Sequence, residues 1–233
     1  MGDLISKSND QIVHSKATIM HRLLQQLPFS WLTIVKRQMD LSGKNILDVG
    51  CGYGFPMETI NRSRKFETVG VDIFAPYLKD CQKKKIHNNY VLCDVNYLPF
   101  RDKTFDVVIC LEVIEHLNKN DSINLILRLE TIARKQVILS TPVGWCHQHE
   151  SDSNKYMSHK SAFELKEFKK IGYNVKGWGL KFLYGKRSPA GGFGWMLVVS
   201  SVATYGFGIV AYFFPSLAGH MVCTKNLVDI NDK

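Results

Sequence analysis

The sequence predicts an α/β fold built on a doubly wound, mostly parallel sheet. Three observations carry that expectation. Short apolar runs alternate with stretches of helical periodicity from about residue 45 to 140, the pattern of strands joined by crossover helices. The first run, Ile46 to Val49, opens directly into Gly50, Gly52 and Gly54, so a strand feeds a loop whose backbone must approach something closely. Acids stand at or near the C-terminal ends of three successive runs, as Asp48, Asp72 and Asp94. That is the edge at which such sheets hold ligands.

The remaining elements follow in order. Helical spacing runs from His14 to Met39 and is broken at Pro28 into two helices. After the glycine loop, Pro56 to Arg64 reads as a helix with proline in its first turn. Thr68–Val71 is a second strand, ending in Asp72, and Pro76–Lys84 is a helix. Tyr90–Cys93 is a third strand and Phe105–Leu111 a fourth, followed by a turn or short helix over Glu112–Leu117. An amphipathic helix covers about Ser122–Arg134, and Gln136–Ser140 is a fifth strand. Thr141–Lys160 reads as a long loop at a strand's C-terminal end, a common place for a functional lid. Ser161–Ile171 is helical, Tyr173–Leu180 is a strand, and Ala218–Lys225 alternates enough to be the last one.

The chain has 233 residues, 45% of them apolar and 22% charged, which suits one globular domain with an appendage. The net charge of +9 is scattered and gives no function by itself. Six cysteines show no CxxC pair, so they read as reduced, mostly buried thiols in a cytosolic setting. No basic-then-apolar leader opens the sequence. Met1 to Ser6 fits the myristoylation pattern, which is short enough to match by chance.

Two features choose the ligand class. The glycines run G-x-G-x-G and not G-x-G-x-x-G, and Asp48 lies beside them, where a pyrophosphate would be repelled. Clustered carboxylates call for a positive guest, because unpaired charge is costly to remove from water. S-adenosylmethionine, with its sulfonium, amino group, ribose and adenine, suits the set better than a dinucleotide.

With these residues in order, the chain resembles the class I, Rossmann-like S-adenosylmethionine-dependent methyltransferases. The likeness covers about Asn45 to Gly144 and rests on Leu47-Asp-Val-Gly-Cys-Gly-Tyr-Gly54, Val69-Gly-Val-Asp72, Leu92-Cys-Asp94, Leu98-Pro-Phe100, Phe105 to Leu117 and Leu139-Ser-Thr-Pro142. The resemblance implies a seven-stranded sheet whose last strand is antiparallel between the fifth and sixth. It also implies roles. Asp48, Gly50, Cys51, Gly52 and Gly54 would shape the methionine pocket, and Leu111 would lie near it. Asp72 would take the ribose hydroxyls, with Ile73 against adenine. Asp94 and Val95 would read the adenine edge.

The acceptor is less legible. Methyl transfer needs a general base only when the nucleophile carries a proton, and Glu112 and His116 are the candidates for that task. His147, His149 and His159 are expected to face substrate from the lid; no metal is expected, since their spacing fits no established site. Cys110-Leu-Glu-Val113 lacks the Pro-Pro-aromatic turn of enzymes that methylate exocyclic base amines, which disfavours nucleic acid.

Ser188–Leu217 has no charged residue and follows a run of lysines and an arginine. A single membrane span there would strand Ala218–Lys225 on the wrong side, so a helical insertion is expected. It would cover the pocket or touch a membrane surface through 190–215. The expected organisation is therefore an N-terminal helical extension (1–42), a methyltransferase domain (43–180 and 218–227) and an apolar insertion (181–217). The expected protein is a cytoplasmic methyltransferase, peripheral to the membrane if the insertion touches it. It acts on a small, hydrophobic or lipid-like acceptor. The alternatives are an RNA-directed enzyme and a non-catalytic S-adenosylmethionine-binding protein. Nothing in the sequence fixes the oligomeric state.

Overall fold

The computed structural model describes residues 27–146, 154–181 and 208–227. The helices are α1 (Trp31–Gln38), α2 (Phe55–Ile60), α3 (Ala75–Lys84), α4 (Lys119–Ile132), α5 (Leu165–Lys170) and α6 (Gly208–Phe213). The strands are β1 (Asn45–Val49), β2 (Glu67–Asp72), β3 (Asn89–Leu92), β4 (Phe105–Leu111), β5 (Ala133–Pro142), β6 (Asn174–Leu180) and β7 (Ala218–Asn226). They form one sheet in the order β3-β2-β1-β4-β5-β7-β6. The first five strands pair in parallel, and β7 is antiparallel to both neighbours. The expected fold class, with its antiparallel last strand, is the one observed.

Strand alternation divides the apolar side chains between two cores. Leu47, Val49, Val108, Cys110, Val137 and Leu139 join one. Ile46, Val107, Ile109 and Ile138 join the other. All seven residues of β4 are buried, as expected for a central strand covered on both faces. The α4–α5 side fills with Leu125, Leu129 and Phe168, and the α1–α3 side with Val35, Met57 and Leu78.

Polar side chains lock the edge opposite the ligand edge. Asp106 accepts the backbone N–H groups of Lys44 (2.7 Å) and Asn45 (3.1 Å), and Arg134 lies 3.0 Å away. Gln136 ties the end of α1 to β7: its Nε2 donates to the Gln38 carbonyl and to Asn226 Oδ1 at 2.8 Å each.

Several boundaries move for local reasons. The helix expected over Pro56–Arg64 ends at Ile60, because the Asn61 side chain takes over. It donates to the Phe66 carbonyl (2.8 Å) and accepts the Phe66 N–H (3.0 Å), and Arg64 turns left-handed. The helix expected from Ser122 starts at Lys119. β5 runs on to Pro142, since β7 pairs with it along that whole length. The helix expected over Ser161–Ile171 is only Leu165–Lys170. Residues ahead of it are taken by other partners: Lys160 and Ser161 N–H donate to the Glu115 carbonyl, and Phe163 bridges Val143 and Gly144. A Glu164–Glu167 capping box then starts α5.

The first expected N-terminal helix and most of the apolar insertion lie outside the described residues. Its last turn, α6, lies on β6. A Cβ at Gly177 would sit 2.2 Å from the Ala211 carbonyl oxygen, so only glycine lets the helix come this close. Among the described residues no helix is long and apolar enough to cross a membrane.

Candidate active site

A cleft of about 1110 Å³ follows the C-terminal edge of the sheet from β3 to β7. Its first half belongs to β1, β2 and β3. The three glycines of the loop after β1 all have positive φ, but for different reasons. A Cβ on Gly50 would meet Val113 Cγ2 at 2.3 Å, and one on Gly54 would meet Ile86 Cδ1 at 2.7 Å. A Cβ on Gly52 would meet nothing within 4 Å. Gly52 therefore faces open cleft, and its bare backbone is what a ligand would find.

Asp72 organises this loop. Its Oδ2 accepts the Gly52 N–H and its Oδ1 the Phe74 N–H, both at 2.8 Å. Burial raises its carboxyl above the usual range, and those N–H groups oppose the shift. Ile73 lines the cleft beside it. Asp94 caps the short 3₁₀ turn Val95–Tyr97 by accepting the Asn96 N–H at 2.9 Å, and both Asp94 and Val95 line the cleft. Tyr53 and Tyr77, which motif reading did not single out, pack with their rings tilted by 46° and centroids 3.9 Å apart, and both line the cleft.

Asp48 and Gly54 do not line the cleft. Asp48 is 2% exposed and sits behind the loop, 3.6 Å from His87 Nε2. That separation exceeds a hydrogen bond. Burial, reinforced by the Asp72 charge, raises the Asp48 carboxyl to about 7, and burial lowers His87 to about 4. The pair is thus held toward its neutral forms. The carboxyls that face the cleft from this half are Asp72 and Asp94. Cys51 lines the cleft; Cys81, beneath it, lies 3.2 Å from the Gly52 carbonyl.

The second half belongs to β4, β5 and β7. Leu111 lies at the middle of the edge. Glu112 follows in the left-handed region, with φ 55. Its Oε1 accepts from Ser140 Oγ (2.8 Å) and its Oε2 lies 3.1 Å from His220 Nδ1. Burial would raise its carboxyl, but His220 and Ser140 together leave it below the usual range. Glu115 is 2% exposed, lines the cleft, and has no hydrogen bond of ordinary geometry to either carboxyl oxygen. Burial, then the Glu112 charge, holds its carboxyl well above the usual range.

His116 and His159 lie edge to face, 4.8 Å between ring centroids. His116 Nδ1 is 3.1 Å from the Ser158 carbonyl and His159 Nδ1 is 2.7 Å from the Cys146 carbonyl. A carbonyl can only accept, so each Nδ1 carries the proton. Burial lowers both imidazoles below their ordinary value. His147 and His149 lie outside the described residues.

Motif reading missed Glu115 and His220. Residues three apart in a tight turn fall on one side, so the spacing of Glu112 and Glu115 was a usable signal. His220 had none: it reaches the site only because β7 sets it opposite Pro142.

Comparison with known proteins matches this geometry. A family model described as a methyltransferase domain matches residues 47–137. Residues 47–137 thus match a methyltransferase domain, and the strand order with its antiparallel β7 is the class I, Rossmann-like methyltransferase fold. It is 28% identical over 130 residues to an uncharacterized protein of Methanocaldococcus jannaschii, covering 56% of this chain and 55% of that one. It is 27% identical over 165 residues to the ubiquinone biosynthesis O-methyltransferase of Rickettsia typhi, covering 58% and 66%. The chain thus spans between half and two thirds of the length of these relatives. In fold it is similar to a SAM dependent methyltransferase from Archaeoglobus fulgidus, with a TM-score of 0.53 at 17% identity, covering 84% of this chain and 94% of that one.

Proposed function

We propose that the protein transfers a methyl group from S-adenosylmethionine to a small, hydrophobic acceptor. The observation that carries this reading is the division of one cleft. Asp72 and Asp94 stand at one end, Glu112, Glu115, His116 and His159 at the other, and Leu111 between them. The first end suits the cofactor. Gly52 offers bare backbone to open cleft. Each Asp72 oxygen accepts a backbone N–H and keeps a lone pair for a ribose hydroxyl. Ile73 and Val95 would flank the adenine, and Asp94 would accept from its amino group. Gly50, Cys51 and Leu111 would border the methionine part.

S-adenosylmethionine brings its own activated methyl group, so the protein's task is chiefly to position and to exclude water. Where the acceptor holds a proton, Glu112 and His116 are the candidates to take it. Leu117, Val143, Trp145, Tyr156 and Met157 give the acceptor end apolar wall beside its charged groups, which favours a molecule with a hydrophobic part. The name of the Rickettsia relative, an O-methyltransferase of ubiquinone biosynthesis, fits an acceptor of that kind. Ile209, Phe213, Phe214 and Leu217 are exposed on and beside α6, and Lys176 stacks over Tyr212 of α6. An apolar patch with a basic neighbour supports contact with a membrane surface, from which such an acceptor could be drawn.

Incubating the protein with labelled cofactor and separate lipid and RNA extracts tests the reading. Label is expected in the lipid extract. Label in RNA alone, or in neither, overturns it.

A further inference from the structure

The acceptor end of the cleft holds three groups whose arrangement the methyl-transfer reading does not require. Glu115 presents two buried oxygens that face Thr141 and the Glu112 carboxyl without a hydrogen bond of ordinary geometry to either. A buried carboxylate left in that state is costly unless a cation completes it. His116 and His159 each spend Nδ1–H on a backbone carbonyl, which leaves each Nε2 with an unshared lone pair. This is how metal-binding imidazoles are oriented: the far nitrogen is pinned by an acceptor and the near one is presented as a ligand. One donor atom from each of Glu115, His116 and His159 lies within 4.8 Å of the other two.

We propose that Glu115, His116 and His159 form a binding site for one divalent first-row transition-metal ion. Two imidazoles and one carboxylate favour zinc, iron, cobalt or manganese over magnesium and calcium, which prefer oxygen alone. Ligand atoms bound about 2.1 Å from an ion lie about 3.0–3.4 Å apart, so binding draws the three side chains together. All three line the cleft, so the open coordination positions give onto the space where the acceptor is proposed to sit. Glu112, held by Ser140 and His220, stands beside the site as a second carboxylate. The proposal does not depend on the methyl-transfer reading, since the ion is held by protein groups alone.

A second set of donors, Cys51, Cys81 and His87, lies buried under the glycine loop and supplies the control. The full chain, stripped with chelator, is titrated with zinc and manganese by calorimetry and with cobalt(II) by visible absorption. One equivalent is expected to bind, with a cobalt spectrum of nitrogen and oxygen ligands. Glu115→Gln and His159→Ala are each expected to weaken binding at least about 100-fold, while Cys81→Ser leaves it unchanged. S-adenosylhomocysteine affinity within about threefold of the parent in each variant shows that the variants are folded. The proposal is overturned if none of the three ions binds, if both cleft variants bind like the parent, or if Cys81→Ser abolishes binding.

Discussion

The two ends of the cleft are built by different means. At the β1–β2–β3 end, the acids are fixed by backbone N–H groups, two of them only two residues away. Asp72 is held by Phe74 and by the Gly52 loop, and Asp94 by Asn96. At the β4–β5–β7 end, groups far apart in sequence hold one another, as Glu112 does with Ser140 and His220. The acids that line the first end are satisfied by backbone N–H groups. The second is long-range, and it keeps an unsatisfied carboxyl in its wall. A motif can encode the first kind of site; only a completed sheet produces the second.

The largest expected effect lies under the first end. The Asp48 carboxyl is raised from 3.8 to about 7 in the folded protein, so its contribution to stability is full below pH 3.8 and is lost as pH rises through 7. His87 is lowered from 6.5 to about 4, so its contribution is present above 6.5 and is lost as pH falls through 4. Between about pH 4 and 6.5 the two cancel, one proton residing on the pair whether the chain is folded or not. His87→Leu removes the compensation. Relative to the parent, that variant should lose about 1.4 kcal/mol per pH unit, roughly 3 kcal/mol in all, as pH rises from 4 to 6.5. Urea titration at a series of pH values measures it, and parallel profiles would show that the two groups are not set by burial.

Next in size is the contact between the two ends. Gly50→Ala adds a left-handed alanine and a clash with Val113, together about 3 kcal/mol. Gly52→Ala meets open space and should cost only the backbone strain, about 1 kcal/mol, but should weaken cofactor binding more than it weakens the fold. Equal stability losses at the two glycines would erase the distinction between a packing glycine and a ligand-facing one.

Asp72→Ala should weaken S-adenosylhomocysteine binding by about 1.5–3 kcal/mol, the worth of hydrogen bonds to a charged group. Glu112→Gln should leave that affinity within about 0.5 kcal/mol. If calorimetry finds the two variants equally impaired, the cleft is not divided as described. The smallest effect is expected at Asp94, where alanine removes a cap and one proposed contact, about 1 kcal/mol of binding.

How much of this was legible follows from the same contrast. The strand positions, the glycine loop and the acids after β2 and β3 are written in local periodicity and turn chemistry, and the sheet order followed from the resemblance. Asp48 was placed in the pocket because it adjoins the loop in sequence. Strand alternation instead sends its side chain behind the loop toward His87. The helix expected at Ser161 lost its first turn to the Glu115 carbonyl and to Val143, partners that no local pattern announces. His220 was invisible for the strongest reason: its place depends on an antiparallel strand inserted between two others.

That insertion also sets a timetable. β6 is synthesised before β7, yet among the described strands β7 is its only partner. Until β7 emerges, the facing edges of β5 and β6 stay bare, and unpaired edges of this kind invite association with other chains. Residues 45–140 can assemble the five parallel strands and the glycine-loop end while the rest of the chain is still being made. The acceptor end cannot close until His220 arrives. A nascent chain would therefore acquire a place for its cofactor before it acquires anything to use it on.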